Sequence, residues 1–362
     1  MSATRPLRPP APRPAPPGGA FGRLLARHAR ALGRNLPAAL LGNVDAVHDA
    51  RVASRRIREA VPLLAAAGVA PRKLARQARR VTRALGPVRE MDVTIALLEE
   101  FERIEPQAAG AIPAVRDALD RARGARRAEM LERLAGFDAA RFARRIRQVR
   151  AGLDEAAMTH VQAAVASRLG RRASAVAAAI EGAGTLFTPD RLHAVRVSVK
   201  KLRYTLELAR TFSTRQHHAP PIPPLKEAQE VLGRLHDLDV LATELGKIQA
   251  RTPPDRDLPP PAETGERPAP AAGTTPGTAE KAHGPTGIAL AVEREAHQLH
   301  AGYLRLSQRV ADLAEACRRF ALLLGPERRP AKARAHTEDR GRRNQPVPGE
   351  ARRRAGTRRR LA

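Results

Sequence analysis

Val47–Arg58 reads VHDARVASRRIR, and Leu192–Arg203 reads LHAVRVSVKKLR. Both stretches set a His, an Arg three residues on, a basic pair and a final Arg. These are His48, Arg51, Arg55, Arg56 and Arg58 in the first copy, and His193, Arg196, Lys200, Lys201 and Arg203 in the second, all at one offset of 145. On an α-helix each residue advances by about 100°, so His48, Arg51, Arg55 and Arg58 share a stripe roughly 80° wide. Ala50, Ala53, Ile57, Ala60, Val61 and Leu64 fall opposite it. In the second copy His193, Arg196, Lys200 and Arg203 align against Val195, Leu202, Leu206 and Ala209. Each copy reads as an amphipathic helix with an apolar back and a cationic front. A lone basic stripe is most often a solvated helix face. This one has few acids one turn away to offset it, and it recurs residue for residue. A fold needs its apolar positions repeated, but not a basic front.

Composition narrows the fold. In 362 residues aromatics make up 2% and Trp is absent, so the core must be built from Ala, Leu and Val. Repeated Ala-rich segments at helical period, with few β-branched runs, predict an all-α protein. The formal net charge is +28; residues 326–362 hold +9 of it and residues 1–20 hold +3, which leaves +16 on the body. A body that cationic repels itself unless it meets a polyanion. Cys317 is the single cysteine, which excludes an internal disulfide and fits a reducing compartment. No continuous apolar segment near the N-terminus marks a secretory signal. No run approaches the roughly 18 apolar residues of a membrane span. The expectation is a cytoplasmic protein without a membrane partner.

Along the chain, the Pro-rich residues 1–20 read as disordered. Helices are expected over 21–41, from an Asp45 N-cap to about Gly68, and onward from Pro71. In this third helix Lys73, Arg76, Arg80 and Arg83 form another basic stripe, bordered by Arg72 and Arg79. A helical hairpin through Gly68 would set it beside the first stripe, and a groove focuses field better than a flat face. The segment Leu85-Gly86-Pro87-Val88-Arg89-Glu90-Met91-Asp92-Val93 is expected to interrupt the helix. Leu232-Gly233-Arg234-Leu235-His236-Asp237-Leu238-Asp239-Val240 echoes it at an offset of 147. Its acids suit helix caps, or ion pairs that hold the basic side chains in place. Glu90-x-Asp92 and Asp237-x-Asp239 also have a spacing open to metal carboxylates.

Further helices are expected at 112–134, 137–151 and 157–181, where Arg141, Arg144, Arg145, Arg168, Arg171 and Arg172 read as mostly solvated. Thr188-Pro189 starts the second basic helix, which ends near Phe212. Helices follow over 224–249 and 287–324. Between them residues 251–287, rich in Pro, Gly and Thr, read as a flexible insertion. Residues 326–362 read as a disordered Arg-rich tail.

The paired His-x-x-Arg helices, each followed by a Leu-Gly-x-x-x-acid-x-Asp-Val segment, resemble the CHAD family, the conserved histidine α-helical domain. The runs Lys200-Lys201-Leu202-Arg203-Tyr204 and Leu232–Val240 are especially similar to the pattern of its second half. The resemblance covers about residues 21–325 without the insertion. It implies two pseudo-symmetric helical bundles, about 21–155 and 156–325, around a basic central surface. It also implies binding of inorganic polyphosphate and association with polyphosphate granules. Carried onto this chain, His48, Arg51, Arg55, Arg56 and Arg58 form one side of that surface. His193, Arg196, Lys200, Lys201 and Arg203 form the other. The sequence pattern adds Lys73, Arg76, Arg79, Arg80 and Arg83 beside the first.

The chemistry suits such a ligand. Polyphosphate is a flexible string of charges without bases. Arg grips two phosphate oxygens with a planar fork, while Lys acts as a point charge. His48 and His193 have three readings: contact with the anion, a hydrogen bond to a neighbouring carboxylate, or a phosphoacceptor or metal-ligand role. Two rival functions stand beside polyphosphate binding. One is nucleic-acid binding by the body and the Arg-rich tail, although the aromatic stacking platforms of single-strand binders are lacking. The other is a phosphate-metabolising enzyme, although the sequence holds no Walker loop and no compelling nucleophile–base pair. The expectation is a non-catalytic protein without cofactor or metal.

Overall fold

The computed structural model describes residues 17–104, 112–213, 219–250 and 285–325, all within the compact unit Met1–Pro326. Among the described residues there are nine α-helices and no strand. They are α1 (Pro17–Leu40), α2 (Val44–Ala66), α3 (Arg72–Ile104), α4 (Ile112–Leu134), α5 (Ala139–Ala151), α6 (Glu155–Ala183), α7 (Pro189–Ala209), α8 (Pro223–Gln249) and α9 (Pro285–Leu324). The all-α class is as expected. Residues 17–20 belong to α1 and residues 285–287 to α9, so both helices start a few residues earlier than the sequence pattern predicts. The rest of 1–20, most of the insertion and the tail 326–362 lie outside the described residues.

Local chemistry sets several boundaries. Asn43, not Asp45, caps α2: its side chain accepts from the Ala46 amide at 2.8 Å. Asp45 sits in the first turn instead, where its charge still favours the helix N-terminus. Asp138 and Asp154 cap α5 and α6 in the same way, each accepting at 2.7 Å. Gly42 and Gly68 stand at φ of +95° and +74° on either side of α2. That left-handed backbone lets the chain reverse sharply at both points. Pro189 opens α7, while the Thr188 side chain makes no cap hydrogen bond.

One expectation fails outright. The segment 85–93 does not interrupt its helix; α3 runs through Gly86 and Pro87 for 33 residues. An interior proline costs about 3 kcal/mol. Leu85 and Val88, which flank the Gly-Pro pair, are fully buried, and burying two such side chains returns about 3 kcal/mol or more. Packing therefore overrides the local break.

The helices form two bundles, one of five helices and one of four, with similar orders of neighbours. In the first, α1, α2, α3 and α4 each pack on the next, and α5 returns to α1. In the second, α6, α7, α8 and α9 each pack on the next, and α9 returns to α6. The bundles meet where α3 crosses α8 and where α2 lies against α6 and α7. The apolar backs of α2 and α7 are buried as the periodicity predicts, with Ala50, Ile57, Val61, Leu64, Val195, Leu202, Leu206 and Ala209 all in the core. That burial fixes the rotation of both helices, and so aims both cationic fronts at the seam. Arg234 of α8 locks the seam with paired hydrogen bonds to Glu100 of α3 at 2.7 and 2.9 Å, and it also bonds Glu295 of α9 at 2.5 Å. No helix among the described residues is long and apolar enough to cross a membrane.

Candidate functional site

The two cationic fronts converge on one recess of about 180 Å³. Its walls are Arg51 and Arg55 from α2, Arg89 and Glu90 from α3, Arg196 and Lys200 from α7, and His236 and Asp237 from α8. His48, Val52, Gly86 and Val93 complete it. The walls follow the repeat in the sequence. Arg51 matches Arg196 and Arg55 matches Lys200 at offset 145, while Arg89 matches His236 and Glu90 matches Asp237 at offset 147.

Gly86 has a specific task here. A Cβ at this position would lie 2.8 Å from Arg51 Nη1. The bare backbone lets the guanidinium lie against α3, where it donates to the Thr82 carbonyl at 3.3 Å. Gly233, the matching glycine, has nothing within 4 Å of the same point. The recess is thus tighter on the side of the first bundle.

Burial first, and crowding of like charge second, shift the cations and histidines of the site. Burial, reinforced by Arg55, Arg196, Arg51 and Arg58, holds the Lys200 ammonium down to about 7. Arg51 is lowered to about 10 by burial and then by Arg55. Arg196 is lowered too, chiefly by burial, against the pull of Asp237. Burial and then Arg89 lower His48; burial and then Arg196 lower His193. His236 is pushed to about 4 by burial and then by Arg196, so its imidazole is neutral at pH 7. Asp237 is raised, burial outweighing the pull of Arg196, Arg234 and Arg89. The recess therefore holds more cation than its two acids offset, and it disfavours every charge left unpaired in it.

His193 reaches the recess only at second hand. Its Nδ1 lies 3.3 Å from His236 Nδ1, with ring centres 4.8 Å apart. Such a pair needs one Nδ1 to donate and the other to accept, which two neutral rings satisfy.

The remaining expected residues divide. Arg56 pairs with Glu207 and lies 4.1 Å over the Tyr204 ring. Arg203 donates to Gln229 at 2.8 Å and to Glu207 at 3.1 Å. Arg55 donates to the Tyr204 hydroxyl. Tyr204 thus gathers three arginines at the α2–α7 seam, and two of them face an acid instead of the recess. Lys201 is exposed, and its carbonyl accepts from Arg172 at 2.8 Å. Arg80 donates to the carbonyls of Arg133 and Ala135 at 2.6 and 2.8 Å, satisfying the end of α4. Lys73 and Arg76 are exposed and line no part of the recess.

Arg58, Arg79 and Arg83 gather instead around a second cleft of about 440 Å³, where they meet Arg168, Arg171 and Arg172 from α6. The reading of those α6 arginines as solvated is corrected for two of them. Arg172 bonds Glu59 at 2.5 Å and Thr205 at 2.5 Å, and Arg168 donates to the Glu59 carbonyl at 2.9 Å. Glu59 is a buried acid on α2 and draws these partners across the seam.

The paired acids also part company. Asp92 has no exposed side-chain surface and bonds Arg123 at 2.6 Å, which in turn donates to the Gly42 carbonyl at 2.9 Å. Its counterpart Asp239 is exposed. Among the described residues no group of three or more His, Cys, Asp or Glu has the arrangement of a metal site. Arg89 and His236 are recess residues that reading the basic helices alone overlooks. Their signal lies in the echoed segment, where each directly precedes the acid at one offset.

The fold and the site define a helical protein whose two bundles turn cationic helices toward a common seam. The chain belongs to the CHAD family: the CHAD domain model matches residues 23–246. The fold is similar to the crystal structure of the CHAD domain from the plant Ricinus communis, with a TM-score of 0.50 and 22% identity over 88% of this chain and 97% of that one. A second solved structure, PptA from Streptomyces chartreusis, aligns with a TM-score of 0.46 and 17% identity over 85% of this chain and all of the other. No curated relative matches the chain.

Proposed function

We propose that this chain binds inorganic polyphosphate without catalysis, in the cytoplasm and at polyphosphate granules. The observation behind the reading is the recess itself. Arg51, Arg55, Arg196 and Lys200, drawn from both bundles, line one recess, where burial first and the neighbouring arginines second hold Lys200 down to about 7. A protein has no structural use for such repulsion, whereas a multiply charged anion turns it into attraction. Arg58 acts on Lys200 and Arg51 and also lines the second cleft. It links the recess to Arg79, Arg83, Arg168, Arg171 and Arg172, giving a flexible polymer a path longer than one pocket. No Phe, Tyr or Trp lines either recess, which favours a ligand without bases over single-stranded nucleic acid.

The test is a competition at physiological salt between long-chain polyphosphate and DNA of matched charge, on the full chain and on a variant with Arg51, Arg55, Arg196 and Lys200 neutralised together. Polyphosphate should win on the parent chain. The variant should lose tight binding with its helicity intact. Preference for DNA, or unchanged affinity in the variant, removes the recess from the function.

A further inference from the structure

Beside the cationic recess lies an apolar cavity of about 310 Å³ between α7, α8 and α9. This is at the lower end of the roughly 300–1,000 Å³ typical of small-molecule sites. Phe187, Leu192, Leu235, Leu238, Val292 and Ala296 supply much of its wall. Four polar side chains reach it: His193, His236, Asp239 and Glu293. In a chain of net charge +28, no Arg or Lys lines it. His236 lines both the cavity and the recess, so an apolar wall and a cationic wall meet at one imidazole.

We propose that recess and cavity together form a site for a nucleoside polyphosphate, its phosphates against Arg196 and Lys200 and its base in the apolar cavity. The inference rests on the recess being an anion site and adds what an inorganic chain cannot use. Phe187, His193 and His236 bring aromatic rings to the cavity wall, and a flat ligand stacks on such rings. Its carboxylates, Asp239 and Glu293, only accept hydrogen bonds when ionised. They suit ribose hydroxyls and exocyclic amino groups, as acidic residues do in dinucleotide folds. A lipid phosphate would cover both acids with hydrocarbon and give them no donor, which is costly. An inorganic polyphosphate would leave the cavity empty and be repelled by the same two acids.

The test compares ATP with inorganic tripolyphosphate on the full chain by calorimetry, with adenosine as a third ligand. Both anions carry three phosphates, and ATP carries less charge, so charge alone favours tripolyphosphate. ATP should bind about tenfold tighter, as expected for one stacked base, and adenosine should bind weakly. Ala242 is an exposed cavity residue, and Ala242→Phe should fill the space. It should bring ATP down to the affinity of tripolyphosphate and leave tripolyphosphate unchanged. Asp239→Asn should abolish the advantage of ATP over tripolyphosphate without added bulk, while tripolyphosphate binds no weaker than to the parent. If tripolyphosphate binds and ATP binds no tighter, the base site is wrong and the recess stands. An ATP advantage that survives both variants places the base elsewhere and overturns the proposal. Failure of long-chain polyphosphate itself to bind overturns the recess and this inference together.

Discussion

Replacing Lys200 by Arg should flatten the pH dependence of polyphosphate affinity above neutrality. In the empty protein Lys200 is held down to about 7 by burial and by Arg55, Arg196, Arg51 and Arg58. A bound polyanion returns it toward its usual value of about 10.4. The complex thus holds a proton that the free protein gives up, so affinity is full below pH 7 and falls as pH rises through it. From pH 7 to 9 the protonated fraction of the free protein drops from about one half to about one hundredth, and affinity falls about 50-fold. Two neighbouring groups of the recess titrate outside this window, Arg51 near 10 and His236 near 4. Terminal phosphates titrate near 6, so a long chain with few ends is the right ligand. The assay is equilibrium binding at pH 7, 8 and 9 at constant ionic strength. Calorimetry at pH 7 in two buffers of different protonation heat should add an uptake of about half a proton per site. The Lys200→Arg variant should lose the steep fall and most of that uptake. Equal pH slopes in the two proteins, or no proton uptake by the parent, would refute the reasoning.

Other expectations follow from neighbouring features. Binding should weaken with salt at a slope that shrinks by about 0.7 for each contacting cation removed; a titration series of Arg55→Gln and Arg196→Gln from low to high salt reads it directly. Gly233→Ala should stabilise the fold by about 1 kcal/mol in chemical denaturation, the ordinary gain of Ala over Gly in a helix. Gly86→Ala should lack that gain and lower polyphosphate affinity several-fold, because the new methyl displaces the Arg51 guanidinium. Asp92→Ala leaves Arg123 without its carboxylate and should cost about 3 kcal/mol of stability, with binding by the folded fraction unchanged. Deleting 326–362 should lower affinity modestly for every polyanion in parallel assays, and loss of all binding would move the function to the tail.

Much of the site was legible because helical spacing and an internal repeat are both written in one dimension. The apolar backs of α2 and α7 determine which way Arg51, Arg55, Arg196 and Lys200 face, and spacing alone reveals those backs. The continuity of α3 was not legible. Gly86-Pro87 is locally a helix breaker, and the burial that overrides it comes from the rest of the core. The fate of Arg56 was hidden for a similar reason. Only the folded seam brings Glu207 and Tyr204 to it, whereas Glu207 stands one helical turn from Arg203 in the sequence itself. Asp92 and Asp239 occupy matching places in the repeat, but Arg123 sits beside one of them alone. The repeat could announce two acids without showing that one would be consumed in packing. Arg168 and Arg172 looked like any exposed helical arginines until Glu59 was placed beneath them.

The arginines that meet acids, such as Arg123, Arg172 and Arg234, tie helices together. Those crowded at the recess push against one another. The fold is therefore under electrostatic stress along this seam, and an anion bound there, as proposed, would relieve it. Each tenfold rise in free anion above its dissociation constant then shifts the unfolding equilibrium by about 1.4 kcal/mol. If the proposed ligand is right, the heat tolerance of this chain would rise with the local supply of phosphate polymer.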